Sequence, residues 1–112
     1  MTLRLVRHPL VRNDVMGVFE HVLETTQGNL DAAERRLDEI EDLLRSIAEN
    51  PASGIRLDGR LAGWLARHGG HGRMITVVFR SDPERRHILI ALIAFGGRNW
   101  LDAAVDRRRF PR

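Results

Sequence analysis

One stretch constrains the fold more than any other. Leu30, Ala33, Leu37, Ile40, Leu44 and Ile47 recur at spacings of three and four, placing them on a single helical stripe. Asn29 stands where an N-cap belongs, and Asp31 and Glu34 lie in the first turns, where negative charge complements the helix dipole. Asn50-Pro51 ends the run, because proline pushes the residue before it out of the helical region. Beyond Pro51 the apolar period changes from helical to two. A chain that turns from one period to the other at a single point must join a helical half to a sheet half, an α+β architecture.

The helical half begins upstream. Thr2 to His8 alternates weakly and reads as a strand, ended by Pro9, which suits the first turn of a helix. From Leu10 to about Thr26, Val11, Val15, Val18, Phe19, Val22 and Leu23 define one face. The short break Gln27-Gly28-Asn29 implies an antiparallel helical hairpin, a better reading of the two stripes than a coiled coil. In the second half, Ala52 to Gly59 has loop character and Arg60 to Arg67 reads as a strand around Trp64 and Leu65. Gly69-Gly70-His71-Gly72 is a turn. Arg73 to Arg80 is a strand, with Ile75, Val77 and Phe79 on one face and Met74, Thr76 and Val78 on the other. Ser81 to Arg86 makes a hairpin loop, and His87 to Phe95 is apolar on both faces, as in a covered or central strand. Gly96-Gly97 closes it. Leu101 to Val105 reads as a short helix and 107–112 as a frayed basic tail. The expected order is strand, two hairpin helices, then a three-stranded antiparallel sheet. With 112 residues there is one core, giving a single domain over 1–106 followed by the tail.

Charge divides along the same line. Residues 1–49 carry six arginines and ten acids, whereas residues 50–112 carry twelve arginines and five acids. The second half therefore calls for an anionic partner. Every basic residue is arginine, with no lysine and no tyrosine; coding bias accounts for this, as does the fit of the planar guanidinium to phosphate and carboxylate. The absence of cysteine excludes disulfides and thiolate zinc sites and fits a reducing compartment. Charges break every apolar stretch at the N-terminus, and the longest apolar run, Ile88 to Phe95, is too short to span a membrane. The expectation is a cytoplasmic protein with no membrane partner.

The order of elements and three strings resemble the RelE/ParE superfamily of toxins from type II toxin–antitoxin operons, over about Leu3 to Trp100. Asp14-Val15 in the first helix is followed by a second helix that closes in Asn50-Pro51-Ala52-Ser53-Gly54, similar to the family's Asn-Pro-x-x-Gly ending. Gly72-Arg73 leads into MITVVF, similar to the arginine that opens a core strand. ILIALIAFGGRNW resembles the last strand and its arginine ending. The sequence departs from the pattern in lacking tyrosines on the strands. The resemblance implies a toxin of the plasmid-stabilisation type, silenced by a cognate antitoxin encoded beside it, with no cofactor and no metal. The helix pair and the GGRNW ending are closer to the ParE branch, which poisons DNA gyrase. The RelE branch, which cleaves mRNA on the ribosome, is the alternative. A non-toxic basic module that binds nucleic acid is a third reading.

Candidate target-binding residues are Arg60, Arg73, Arg98 and Trp100. A metal-independent ribonuclease needs acid–base groups and cations around one phosphate. Arg73 and Arg98 fall at the family's arginine positions. Without tyrosine or lysine a histidine must carry the proton, and among His68, His71 and His87 the set Arg73, His87 and Arg98 is the expected one. Taken singly, each arginine equally solvates a strand end. Trp64 and Trp100 serve either for stacking on bases or as core. His68-Gly-Gly-His71 lacks the acids or cysteines a zinc site requires, and the glycines lack the strand–helix context and lysine of a phosphate loop. The antitoxin-binding residues are not assigned by the sequence.

Overall fold

The computed structural model describes residues 3–96 and 99–110. Strand β1 (Arg4–Arg7) leads into helices α1 (Val11–Thr25) and α2 (Leu30–Glu49). These are followed by β2 (Ile55–Arg56), β3 (Leu65–Gly69), β4 (Ile75–Asp82), β5 (His87–Phe95) and α3 (Trp100–Asp106). The strands form one sheet in the order β1-β5-β4-β3-β2. The α+β class and the helical hairpin are as expected, but the sheet has five strands. The segment 52–59, expected to be a loop, contributes the two-residue edge strand β2 against Ala66 and Leu65. The strand expected at Arg60–Arg67 lies further on, because residues 59–61 form a 3₁₀ turn. Thr2, expected in the first strand, lies outside the described residues.

Local chemistry accounts for both hairpin helices. Asn29 Oδ1 accepts the Ala32 N–H at 3.1 Å and caps α2. Leu10 offers α1 no side-chain cap; instead His8 Nδ1 accepts the Leu10 N–H at 3.1 Å. The stripes of the two helices meet Ile75, Val77 and Phe79 of β4 and Ile88, Ile90 and Ile93 of β5 in the main core. Ile40 and Leu44 are fully buried there, whereas Leu37 is half-buried at its margin.

A second core lies on the opposite face, where Leu61, Trp64, Val78, Ala91, Leu92 and Ala104 pack under α3. A β-bulge divides the apolar side chains of β5 between the two cores: Val78 pairs with Leu92 but Phe79 with Ile90, leaving Ala91 as the extra residue. The bulge turns Ala91 and Leu92 together toward α3 and returns Ile93 to the helices.

β1 runs parallel to β5 and covers only Arg4↔His87 through Arg7↔Ile90. Past that point an ion pair takes over the edge of β5. Asp14 Oδ2 accepts the Ile93 N–H at 3.0 Å, and Arg107 Nη1 donates to the Ala91 carbonyl at 3.3 Å. The two side chains join each other in a fork, with Arg107 Nη2 2.9 Å from Asp14 Oδ1. Phe110 stacks on Trp64 and meets the His8 ring edge-on. Residues 107–110, expected to fray, are thus fastened to the body; Pro111 and Arg112 lie outside the described residues. No helix among the described residues is long and apolar enough to cross a membrane.

Candidate functional site

The site grows out of the turn that ends α2. Ser53 N–H and Ser53 Oγ both bond the Asn50 carbonyl, at 3.1 and 2.6 Å. This closes the Asn-Pro-x-x-Gly string into a compact loop. Gly54 lies against the sheet so closely that a Cβ there would stand 3.1 Å from the Ala66 carbonyl oxygen and 3.2 Å from the Phe79 ring. The loop then presents Ser53 Oγ to Arg67 Nη1 at 2.8 Å. The string is therefore a device for seating an arginine of β3.

Beside Arg67, His68 points to the other face of the sheet. The β3–β4 register sets it opposite Thr76, and its Nδ1 lies 2.7 Å from Thr76 Oγ1. Its ring meets Trp100, the first residue of α3, edge-on at 6.1 Å. Arg73 comes from the 3₁₀ turn between β3 and β4, is exposed, and adopts a positive φ of 56°. Ser53, Gly54, Arg67, His68 and Arg73 together line a cleft of about 230 Å³. The guanidinium groups of Arg67 and Arg73 and the Ser53 hydroxyl on one concavity make an arrangement suited to an anionic oxygen group, whereas the His68 ring is turned toward Thr76 and Trp100.

The expected residues divide accordingly. Arg73 lies in the cleft and Trp100 adjoins it through His68. Arg98 lies outside the described residues. Arg60 sits on the 3₁₀ turn 59–61, away from the cleft, where its carbonyl accepts Arg108 Nη1 at 3.0 Å. His87 is at the far end of the sheet. Ile75 pairs with Phe95 while Asp82 pairs with His87, so the length of β5 separates His87 from the Arg73 turn, about 25 Å at the rise of a strand. Arg73 and His87 cannot meet on one phosphate; His68 is the histidine beside Arg73. His71 is exposed, and its N–H is held by Glu39. Trp64, only 3% exposed, is closed to stacking on a base.

Sequence reasoning missed Arg67 and Ser53. Ser53 sat inside a string noted only for its resemblance, and Arg67 was placed at the end of a strand whose true start is five residues later. A second concavity, about 260 Å³, lies between α1 and α3, lined by residues that include Asp14, His21, Phe95, Trp100 and Arg107.

No protein-family model matches the sequence, and no curated protein does. Among solved structures, the chain is similar to one in the toxin–antitoxin complex RelBE2 from Mycobacterium tuberculosis. The TM-score is 0.60 at 16% identity, and the match covers 85% of this chain and 99% of that one. At this identity the likeness is one of fold alone: the protein shares the α+β fold of that chain.

Proposed function

We propose that the protein is the toxin of a toxin–antitoxin pair, that a cognate antitoxin encoded beside it holds it inactive, and that it acts as ParE-like toxins do, by binding DNA gyrase. The observation that supports a toxin is the shared fold with a chain of a toxin–antitoxin complex. The observation that supports binding over catalysis is the separation of His87 from Arg73, which dissolves the expected acid–base set. In this reading Arg67 and Arg73 contact an anionic group of the target. The antitoxin takes the groove of about 410 Å³ between the start of α1 and α2, where Val11, Val15, Met16 and Leu44 form the floor and Arg7, Arg12 and Glu41 the rim. Met16 is 51% exposed, and an amphipathic segment bearing acids opposite Arg7 and Arg12 suits such a groove.

Induced expression of the lone chain should arrest growth, and co-expression with the neighbouring small protein should restore it. Purified protein should inhibit gyrase supercoiling without cutting mRNA on translating ribosomes, and His87→Ala should stay toxic. Free growth together with no binding to the neighbouring protein would leave the non-toxic module as the reading. The ribosome-dependent ribonuclease has one observation in its favour, the presence of Arg67, His68 and Arg73 among the residues that line one cleft. Its signature is codon-phased mRNA cleavage abolished by His68→Ala with the fold intact, a loss of about a hundred- to ten-thousand-fold for a removed general acid or base.

A further inference from the structure

The turn that carries Arg73 is contacted by a helix on which nothing in the sequence places a functional residue. The turn between β3 and β4 runs through three left-handed residues, Gly70 at φ 75°, Gly72 at φ 65° and Arg73 at φ 56°. Two glycines adopt that conformation freely; an arginine does so only where its surroundings impose it. One contact to this turn comes from α2. Glu39 Oε1 accepts the His71 N–H at 3.0 Å, and Glu39 Oε2 lies 2.9 Å from Arg36 Nη2. The two side chains are only 25% and 19% exposed. Among the described residues Arg36 Nε is buried without a hydrogen-bond partner, and the guanidinium meets Glu39 through Nη2. The approach is close: a Cβ on Gly70 would stand 2.9 Å from Glu39 Oε1 and 2.7 Å from Ile75 Cδ1. Downstream, the Arg73 N–H returns to the Gly70 carbonyl at 3.0 Å, and the Met74 carbonyl accepts the Gly96 N–H at 2.9 Å.

We propose that Glu39 is a positioning residue: from the acidic helix it fixes the His71 turn and so aims Arg73 into the cleft beside Arg67. The inference rests on the reading of that cleft as an anion site, and not on toxicity.

The test uses the purified full chain, with inorganic phosphate as the probe and NMR as the readout. In the parent, phosphate should shift the signals of Arg67, His68 and Arg73, and Arg73 should show the short amide-to-Hα distance that a positive φ imposes. Glu39→Ala should release the His71 amide to exchange, average out the Arg73 signature, and weaken phosphate binding roughly tenfold, the effect of losing one charge-assisted hydrogen bond. Glu39→Gln keeps an oxygen acceptor for His71 and should retain most of the response. If Glu39→Ala does not fold, Arg36→Met, which leaves the carboxylate present but unanchored, should still speed His71 exchange and loosen Arg73. Unchanged exchange, signature and phosphate response in a folded Glu39→Ala would overturn the proposal, even with a lowered melting temperature. A parent that shows no phosphate response would overturn it too, since no site would remain to be positioned. Growth arrest, measured separately, decides the toxin reading on its own.

Discussion

Arg73 bears a backbone cost that its side chain does nothing to relieve. A left-handed conformation costs a residue with a Cβ about 1–2 kcal/mol, part of which glycine would lose again to the freedom of the unfolded chain. Arg73→Gly should therefore leave stability unchanged or raise it by up to about 1 kcal/mol in urea unfolding, while removing one of the two guanidinium groups of the cleft. A clear loss of stability would mean the side chain itself holds the turn. At His8 the cost is protonic. Burial and the charge of Arg107 depress its pKa below the ordinary 6.5, against the opposing pull of Asp14 and a hydrogen bond to the Arg109 backbone. Above pH 6.5 the imidazole is neutral in both states. Below it the unfolded chain takes up a proton that the folded protein refuses, so stability falls with pH until the folded pKa is reached. His8→Asn keeps an acceptor for the Leu10 N–H and should flatten that part of the pH–stability profile. Neither residue announces itself in the sequence. A positive φ at a non-glycine residue leaves no compositional mark, and His8 looks like any polar residue beside a proline.

Among the elements, α2 was the most legible, because its cap, stripe and stop all agree. Its depth was not. The stripe weights Leu37 equally with Leu44, yet Leu44 is 1% exposed and Leu37 only half-buried. Leu44→Ala should cost about 2–5 kcal/mol, and Leu37→Ala should fall at or below the low end of that range. Equal losses in thermal unfolding would show that Leu37 is as enclosed as Leu44. β5 was legible as a strand but not in phase. Periodicity assumes strict alternation, and a bulge at Ala91 resets it, so no reading of ILIALIAF could say which isoleucines face α1 and α2. β2 was missed for a different reason. Two residues carry no period, and Ile55 joins the sheet because the Asn50–Gly54 loop delivers it beside Ala66. The cleft inherits that dependence: Arg73 was found from a string, whereas Arg67 needed the loop and the true start of β3.

On the scale of the whole molecule, the charge division survives folding as a contrast between an acidic helical layer and a basic strand-and-turn half, bridged at a few points. The deepest bridge joins Asp14 to Arg107, whose side chains are 12% and 14% exposed. Pairing across such a distance in sequence has no local signature, which is why an arginine run after a short helix looked like a solvated tail. Ending the chain after Asp106 should expose Trp64, leave the largely buried Asp14 carboxylate without its counter-ion, and free the Ala91 carbonyl. Breaking a buried pair on one side costs about 3–5 kcal/mol, out of a total for such domains of about 5–15, so the shortened chain should unfold at much lower urea. A midpoint equal to the parent's would restore the tail reading. The parallel pairing of β1 with β5 acts in time as well as in space. β1 is made early and its neighbour β5 late, and at roughly 5–20 residues per second a ribosome needs on the order of ten seconds to supply it. Through that interval the nascent hairpin must keep its shape without the sheet that will cover it. The Asn29 cap and the leucine-, glutamate- and arginine-rich composition of α2 favour a helix that waits, rather than one that forms only on contact.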